Sequence, residues 1–406
     1  MKSSSIGGGF LEIKPLVDKS WIREAIGNDV KFQEILNVAK NTNKIKEILD
    51  LSIAICAKYS NIVVVGIGGS TLAARAYYDI IGAKSVRNNV YFLDNLDVSS
   101  LEKMLEIVKL RDTFFVFISK SGGTIETIVQ MCAIIDTLVS AGMAAGISQS
   151  CLAVTGAGDS AMRKICNKYA IPTLEWSGDI SGRFSAFSNN INLVNAIIGV
   201  DIKKSCSTFV ESCEMLIESD EFIRHLNFTI ASLQQNISST VVFGYSDKLS
   251  HFIDWYVQIW AESVGKNGLG TNPCKAIGPL DQHSKLQLFL DGKKDKIFTI
   301  IAEDCYNSSS VNWGLFADCG LSNLNGAGIS EIICAFYNGL TASFKENNIP
   351  VRNFIASKIN VEFLSEMMAF YMLETVLSCH YLNTNPYNQP KVEESKRHIY
   401  SYLQNL

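Results

Sequence analysis

The chain has 406 residues, of which 47% are hydrophobic and 19% charged, and its formal net charge is −4 at pH 7. This composition is typical of a folded globular protein with two or three domains and excludes a disordered chain. The basic residues are scattered and form no basic footprint, which argues against nucleic-acid binding. An anionic ligand would therefore have to be held by a local group of hydrogen-bond donors.

Targeting and metal-binding signals are absent from the sequence. No apolar run approaches the ~18 residues that span a bilayer, and the first residues, MKSSSIGGGFLEIK, lack the apolar core of a signal peptide. The eleven cysteines form no CxxC pair, and no Cys/His cluster has zinc-ligand spacing. We therefore expect a cytoplasmic protein with reduced cysteines and no bound metal.

In chain order, residues 1–50 have the periodicity of amphipathic helices. Short apolar runs rich in Val, Ile and Phe follow, separated by longer segments with helical spacing. These runs lie at residues 62–65, 90–93, 114–118, 151–155, 240–243 and 297–302. Continuous apolar strands that alternate with helices indicate parallel sheets covered on both faces, which bind ligands at the carboxyl ends of their strands.

The alternation of strands and helices is interrupted once. Residues 190–221 are predicted to be mostly helical, and the two similar segments NIVVVGIGGS and STVVFGYSDK begin the blocks on either side. This indicates two related α/β halves. We predict a helical N-terminal extension (1–50), two α/β domains (51–200 and 201–360) and a helical C-terminal tail (361–406).

The first candidate loop is GIGGS, residues 66–70, directly after the first predicted strand. Glycines at this point allow backbone N–H groups to approach an anion at the start of the next helix. The loop lacks the third glycine of a dinucleotide-binding GxGxxG fingerprint and the Gly-Lys-Ser/Thr of a P-loop, which disfavours nucleotide binding. A simple turn without a ligand is the alternative interpretation.

The second candidate loop is SKSGGTIET, residues 119–127. It combines three closely spaced hydroxyl groups with backbone amides that two glycines leave accessible at a helix start. Such donors can saturate the oxygens of a phosphate monoester without a metal. An ordinary N-cap is the alternative, but the density of donors favours a phosphate-binding loop.

The segment SHFIDWYVQIWAESVGK, residues 250–266, is strongly apolar and is predicted to be a buried helix. Asp254, Gln258 and Glu262 recur every four residues and therefore share one face. That face is either exposed to solvent or turned into a cleft, and the sequence leaves both possibilities open. In a cleft, Glu262 would be suited to proton transfer.

Three further segments contain residues that are common in active sites. GRFS, residues 182–185, offers Arg183 as a fixed cation for an oxyanion. GPLDQHS, residues 278–284, offers His283 as an acid or base near neutral pH, and NQPKVEESK, residues 388–396, begins a charged final helix. Taken alone, each has an ordinary structural explanation: a salt bridge, a structural histidine and a capped helix.

Together and in this order, these segments resemble the glucose-6-phosphate isomerase family, especially its shorter bacterial members. SKSGGT alone would indicate only the wider class of sugar-isomerase (SIS) domains, whereas QIWAES combined with GPLDQHS is highly specific. Ser181 and Ser395 stand where the family usually has glycine. The matching segments are GIGGS (66–70), ISKSGGTIET (118–127), GRFSAFS (182–188), QIWAESVGKNG (258–268), GPLDQHSKLQLFLDG (278–292) and NQPKVEESK (388–396).

The resemblance implies two SIS domains, each a doubly wound three-layer α/β/α unit around a parallel sheet, and a tail that completes the active site. It implies the reversible isomerisation of glucose 6-phosphate and fructose 6-phosphate through a cis-enediol(ate), in glycolysis and gluconeogenesis, with neither cofactor nor metal. It also implies a homodimer with active sites shared between subunits, because the histidine of DQHS reaches the neighbouring site.

The resemblance also implies roles for individual residues. Glu262 would move the proton between C1 and C2, positioned by Gln258, and Arg183 would stabilise the intermediate. His283 and Lys396 would assist ring opening. The substrate-binding residues implied are Ser119, Lys120, Ser121 and Thr124 at the phosphate, Thr127 in support of that loop, Gly69 and Ser70 at the sugar, and Gln389 in the tail.

Two alternative functions remain open from the sequence. A bifunctional phosphoglucose/phosphomannose isomerase would share the same scaffold. A non-catalytic SIS protein that senses a sugar phosphate would not need Glu262, Arg183, His283 and Lys396 together, and their joint presence argues against it.

Overall fold

The structure is a computed structural model that describes residues 3–7, 13–83, 87–235, 237–304, 320–321, 324 and 327–405. Strands and helices alternate through most of these residues. The strands are β1 (Ser3–Gly7), β2 (Asn61–Val65), β3 (Asn89–Leu93), β4 (Thr113–Ser119), β5 (Cys151–Thr155), β6 (Thr173–Glu175), β7 (Ser239–Gly244), β8 (Asn272–Ile277), β9 (Lys296–Glu303) and β10 (Val351–Ala356). The helices are α1 (Lys19–Gly27), α2 (Val30–Ala39), α3 (Thr42–Lys58), α4 (Leu72–Ile81), α5 (Val98–Ile107), α6 (Ile125–Ser140), α7 (Ile147–Ser150), α8 (Ala161–Tyr169), α9 (Asn189–Ile197), α10 (Ile202–Ile217), α11 (Asp220–Gln234), α12 (Ser250–Val264), α13 (Leu286–Asp291), α14 (Ile329–Glu346), α15 (Val361–Tyr381) and α16 (Pro390–Leu403).

The first sheet is fully parallel and has the strand order β3-β2-β4-β5-β6. Every residue of β2, β4 and β5 is buried. Successive side chains of β2 enter different cores, with Ile62 and Val64 on one face and Val63 and Val65 on the other, because side chains alternate along a strand. This confirms the predicted α/β fold with a parallel sheet between helical layers.

The second sheet has the order β1-β10-β9-β7-β8. Its four strands β7–β10 are parallel and, counted along the chain, have the same 2-1-3-4 order as the first four strands of the first sheet. Strand β1 adds to the edge antiparallel to β10, with Ser3 opposite Ile355 and Gly7 opposite Val351. The N-terminal extension, predicted to be helical, therefore also contains a strand. Its sequence, SSSIG, has no strand periodicity, and its hydrogen-bond partners come from the far end of the chain.

A shared core joins the two sheets. Residues of both, among them Val64, Val242 and Phe354, belong to one continuous cluster of buried side chains. Helix α15 runs through this cluster and is buried on nearly all sides. Within the described residues, no helix is long and apolar enough to cross a membrane.

The ends of β2 and β4 define a topological switch point. The chain pairs β2 with β3 on one side and with β4 on the other, so the connections leave in opposite directions and open a crevice at the carboxyl ends of the strands. The loops at residues 66–70 and 119–124 flank this crevice. The fold therefore brings the two glycine-containing loops of the sequence side by side.

Helix α11 carries His225, whose burial predicts an acid-sensitive fold. Its Nε2 lies 2.8 Å from Ser4 Oγ of β1. Burial, with smaller contributions from Arg352 and Arg224, lowers the His225 pKa from 6.5 to about 3. As the pH falls below 6.5 the unfolded chain binds a proton that the folded chain excludes. The exclusion of this one proton should therefore lower the free energy of unfolding by about 1.4 kcal/mol for each pH unit of acidification.

Urea unfolding between pH 7 and pH 5 measures this dependence. We expect His225→Gln to lose most of the slope, whereas His398→Gln, at an exposed histidine, should keep it. Equal slopes for the two variants would contradict the assignment to His225.

Candidate active site

The loop between β4 and α6 forms a compact cup of donors. Ser119, the last residue of β4, is buried, and its Oγ lies 2.9 Å from Thr124 Oγ1 at the start of α6. Gly122 has φ +61°, and a Cβ at this position would lie 2.2 Å from Ser160 Oγ, so the bend requires glycine. Ser121 Oγ accepts a hydrogen bond from the Gly123 amide at 3.2 Å. The hydroxyl groups predicted to bind phosphate are therefore gathered around one helix start.

Two other residues of this loop are placed differently from the rest. Thr127 is the third residue of α6, and its buried Oγ1 has no hydrogen-bond partner among the described residues. The Lys120 ammonium donates to Asp179 Oδ1 at 2.8 Å and to the Asp179 backbone oxygen at 3.1 Å. Hydrogen bonds from Lys120 and Lys31 lower the Asp179 pKa to about 2. The side chain predicted to hold phosphate is thus bound to a carboxylate in this structure.

The GIGGS loop touches the GRFS segment backbone to backbone. A Cβ on Gly69 would lie 2.2 Å from the Gly182 carbonyl carbon and 2.6 Å from the Arg183 nitrogen, so no side chain fits there. Next to it, Ser70 ends a short 3-10 turn, Gly68–Ser70. Ser181, where the family usually has glycine, has φ −67°, an ordinary value for any residue. The serine at position 181 therefore introduces no backbone strain.

Arg183 is the central side chain of the site and is only 1% exposed. Its Nη1 donates to Glu262 Oε2 at 2.9 Å and to Gln389 Oε1 at 2.7 Å, and its Nε donates to Ser263 Oγ at 2.9 Å. Its Nη2 donates to the backbone oxygens of Pro386 and Asn388. Burial lowers the Arg183 pKa, and the Glu262 carboxylate opposes that shift. The alternative of a surface salt bridge is therefore wrong, because this cation is buried and joins α12 to the tail.

Glu262 lies in a cleft, which resolves the open question about the polar stripe of α12. Its Oε1 accepts from Gln258 Nε2 at 2.8 Å, its Oε2 faces Arg183, and its side chain is 28% exposed. Asp254, at the other end of the stripe, instead pairs with Lys275 of β8 at 2.7 Å. The carboxylate of Glu262 is thus fixed by two donors and remains accessible to a small ligand.

A cavity of about 840 Å³ opens beside Glu262 and is lined by the end of α12 and by tail residues that include Gln389. Lys266, which is not among the predicted site residues, also lines this cavity, and its Nζ donates to the Asn385 backbone oxygen. Burial, followed by the nearby Arg183 charge, lowers the Lys266 pKa to about 8. Lys266 lies two residues beyond the end of α12, so the four-residue spacing that aligns Gln258 and Glu262 does not extend to it, and no helix pattern could have found it.

Two predicted catalytic residues are not brought to Glu262 within one chain. His283 follows the short turn Leu280–Gln282 and is exposed. Lys396 of α16 pairs with Glu393 at 2.7 Å, although the same helix reaches the loop between β4 and α6 through Tyr400, whose hydroxyl donates to the Gly123 oxygen at 2.8 Å. Neither side chain hydrogen-bonds to Glu262 or Arg183. In the described residues, no group of three or more His, Cys, Asp or Glu side chains could hold a metal ion.

Comparisons with known proteins point to one family. A family model described as phosphoglucose isomerase matches residues 35–270. A probable glucose-6-phosphate isomerase from Methanococcus maripaludis is 30% identical over 92% of this chain and 84% of its own length. A glucose-6-phosphate isomerase from Methanocaldococcus jannaschii is 31% identical over 84% of this chain and 83% of its own length.

A crystal structure shows the same architecture. The glucose-6-phosphate isomerase from Chlamydia trachomatis superposes with a TM-score of 0.75 at 19% identity, over 96% of this chain and 78% of that one. At this identity the similarity establishes the fold.

Proposed function

The chain belongs to the phosphoglucose isomerase family, and we propose that it catalyses the reversible isomerisation of glucose 6-phosphate and fructose 6-phosphate. The observation that carries this proposal is the Glu262 carboxylate, held between Gln258 and the buried Arg183 at the crevice that the phosphate loop flanks. We place the reaction in the cytoplasm, as a step of glycolysis and gluconeogenesis.

Substrate binding is assigned to both ends of the crevice. The hydroxyl groups of Ser119, Ser121 and Thr124 and the amides at the start of α6 would hold the phosphate, with Thr127 behind them and Lys120 as the cation. Gly69 and Ser70 would line the sugar. The close approach of Gly69 to Gly182 supports the placement of the sugar, because it holds the GIGGS loop against the segment that carries Arg183.

The chemistry requires one base and one fixed cation. Glu262 takes the proton from C2 of the open-chain aldose and returns it to C1, and the hydroxyl proton passes from O2 to O1, so that the carbonyl group moves from C1 to C2 through a cis-enediol(ate). Arg183 stabilises the negative charge that develops on the oxygen of the enediolate intermediate. A positioned base of this kind contributes ~10²–10⁴-fold to the rate, and a buried donor aimed at the oxyanion adds a comparable share. His283 and Lys396 would serve ring opening, with Gln389 ordering the tail.

A coupled assay that follows the formation of glucose 6-phosphate from fructose 6-phosphate tests the proposal. Turnover of fructose 6-phosphate with little turnover of mannose 6-phosphate is expected. Equal turnover of both would favour the bifunctional isomerase, and binding without turnover would favour a sugar-phosphate sensor.

The phosphate cup makes a separate prediction. Ser119→Ala combined with Thr124→Ala should raise KM about tenfold or more and lower kcat by less, because ground and transition states share the phosphate contacts. Steady-state kinetics measure both constants. Thr137→Ala, on the same helix but bonded to the Ala133 oxygen, serves as the control. A large loss of kcat at unchanged KM would contradict the assignment.

We further propose a homodimer in which His283 acts in the partner's site. Leu280, in the turn before His283, and Leu288, in helix α13 after it, have exposed side chains, at 72% and 57%, and support a contact there. Mixing the inactive variants His283→Ala and Glu262→Gln should restore part of the activity, because mixed dimers contain one intact site. Once subunit exchange has been demonstrated, no recovery would mean that His283 acts within its own chain.

A further inference from the structure

The carboxylate of Asp179 lies beside the phosphate loop, although no motif of the sequence singles it out. Lys120 Nζ donates hydrogen bonds to the carboxylate oxygen Oδ1 of Asp179 at 2.8 Å and to the backbone oxygen of the same residue at 3.1 Å. Lys120 directly follows Ser119, the buried hydroxyl at the centre of the cup. The ammonium of the one lysine in this loop is therefore already engaged by an anion.

Asp179 is held in place independently of Lys120. Its Oδ2 pairs with Lys31 Nζ of α2 at 2.8 Å, and its backbone N–H donates to Glu34 Oε1 at 3.0 Å. Gly178, with φ +52°, packs so closely that a Cβ there would lie 2.0 Å from Glu34 Oε1. Asp179 is thus a fixed anion that stays paired with Lys31 when Lys120 leaves it.

The Lys120 side chain can move while its backbone stays in the loop. Its side chain is 36% exposed, and both of its hydrogen bonds are made by the ammonium at the end of a flexible four-carbon stem. A phosphate monoester carries a charge of about −1.5 to −2 at neutral pH and offers three acceptor oxygens. Asp179 carries a single charge that Lys31 already shares, so a phosphate in the cup attracts the ammonium more strongly.

We propose that Asp179 is a positioning residue that holds the Lys120 ammonium in the free enzyme and releases it to the phosphate of the substrate. The inference rests on the proposed function, since it takes residues 119–124 as the phosphate site. Because the Asp179 pKa is lowered to about 2, the carboxylate is charged at neutral pH and competes with the phosphate for the Lys120 ammonium. The competition weakens the affinity for phosphorylated ligands.

The test compares Asp179→Asn, Lys120→Met and the double variant, with inorganic phosphate as the probe in calorimetric titrations at fixed ionic strength. Exposed ion pairs contribute ~0.2–1 kcal/mol, so Asp179→Asn should lower the Kd of phosphate by about 1.4- to fivefold. The KM for fructose 6-phosphate should fall by a similar factor, with a smaller change in kcat. In the Lys120→Met background, Asp179→Asn should have no effect on either constant. Asp159→Asn, at an exposed carboxylate paired with Lys164, should leave both constants unchanged.

Two outcomes would overturn the inference. Unchanged or weaker phosphate binding by Asp179→Asn would mean that Asp179 does not compete for Lys120. Equal tightening in the Lys120→Met background would mean simple charge repulsion by the carboxylate. Phosphate binding needs no turnover, so a chain that shows the expected pattern but does not isomerise fructose 6-phosphate would refute the proposed function and leave this inference intact.

Discussion

Replacing Glu262 with glutamine is expected to lower kcat by about 10²–10⁴-fold in both directions, because the variant lacks the base that carries the proton between C2 and C1. The geometry favours a folded variant. The glutamine Oε1 can still accept from Arg183 Nη1, and its amide nitrogen can meet Gln258 if the Gln258 amide turns over. In the wild type, Gln258 Oε1 is buried and has no hydrogen-bond partner among the described residues. Rotation of the Gln258 amide would let this oxygen accept a hydrogen bond from the amide nitrogen of the new glutamine.

Exchange of solvent deuterium gives a second readout of the same step. In heavy water the wild type should incorporate deuterium at C1 or C2 during turnover, and Glu262→Gln should incorporate it no faster than its residual turnover. Asp254→Asn is the matched control, since Asp254 lies on the same face of α12 and is also paired with a cation, Lys275. It should retain near wild-type kcat. A Glu262→Gln variant within tenfold of wild-type kcat would show that another group is the base.

Breaking the buried pair of Arg352 and Glu374 is expected to cost about 3–5 kcal/mol in the free energy of unfolding. Both side chains are at most 1% exposed, and Arg352 Nη2 donates to Glu374 Oε2 at 2.9 Å. Hydroxyl groups complete the arrangement: Thr229 donates to Glu374 Oε1 at 2.7 Å, and Thr299 accepts from Arg352 Nε at 2.8 Å. Arg352→Met would leave a buried carboxylate without its cation.

Urea unfolding of three variants measures this cost. Arg352→Met alone should show the full loss, whereas Arg352→Met combined with Glu374→Leu should regain most of it, because both charges are then removed. Lys40→Met breaks an exposed pair, with Glu214, whose side chains are 50% and 60% exposed, and should cost less than about 1 kcal/mol. A loss for Arg352→Met no larger than that of Lys40→Met would contradict the prediction.

The α/β fold was predictable because its signals are local. Apolar runs such as residues 114–118 form strands wherever both faces of a sheet are covered, and the structure buries every residue of β4. The cup of hydroxyl groups at residues 119–124 was predictable for the same reason, because Ser119 and Thr124 lie five residues apart on one loop. The strand β1 was missed, because its hydrogen bonds come from β10 and no pattern within SSSIG encodes that pairing.

The sequence by itself therefore determined the α/β class, the donor-rich loop at residues 119–124 and, through six matching segments, the family. Only the tertiary structure decided that Glu262 faces a cleft and not solvent, because its neighbour Arg183 lies 79 residues away in sequence. It also decided that Lys120 is bound to Asp179 and that Lys266 lines the cavity beside Glu262. Periodicity and motif spacing report contacts within a few residues, whereas burial and charge pairing arise where distant segments meet.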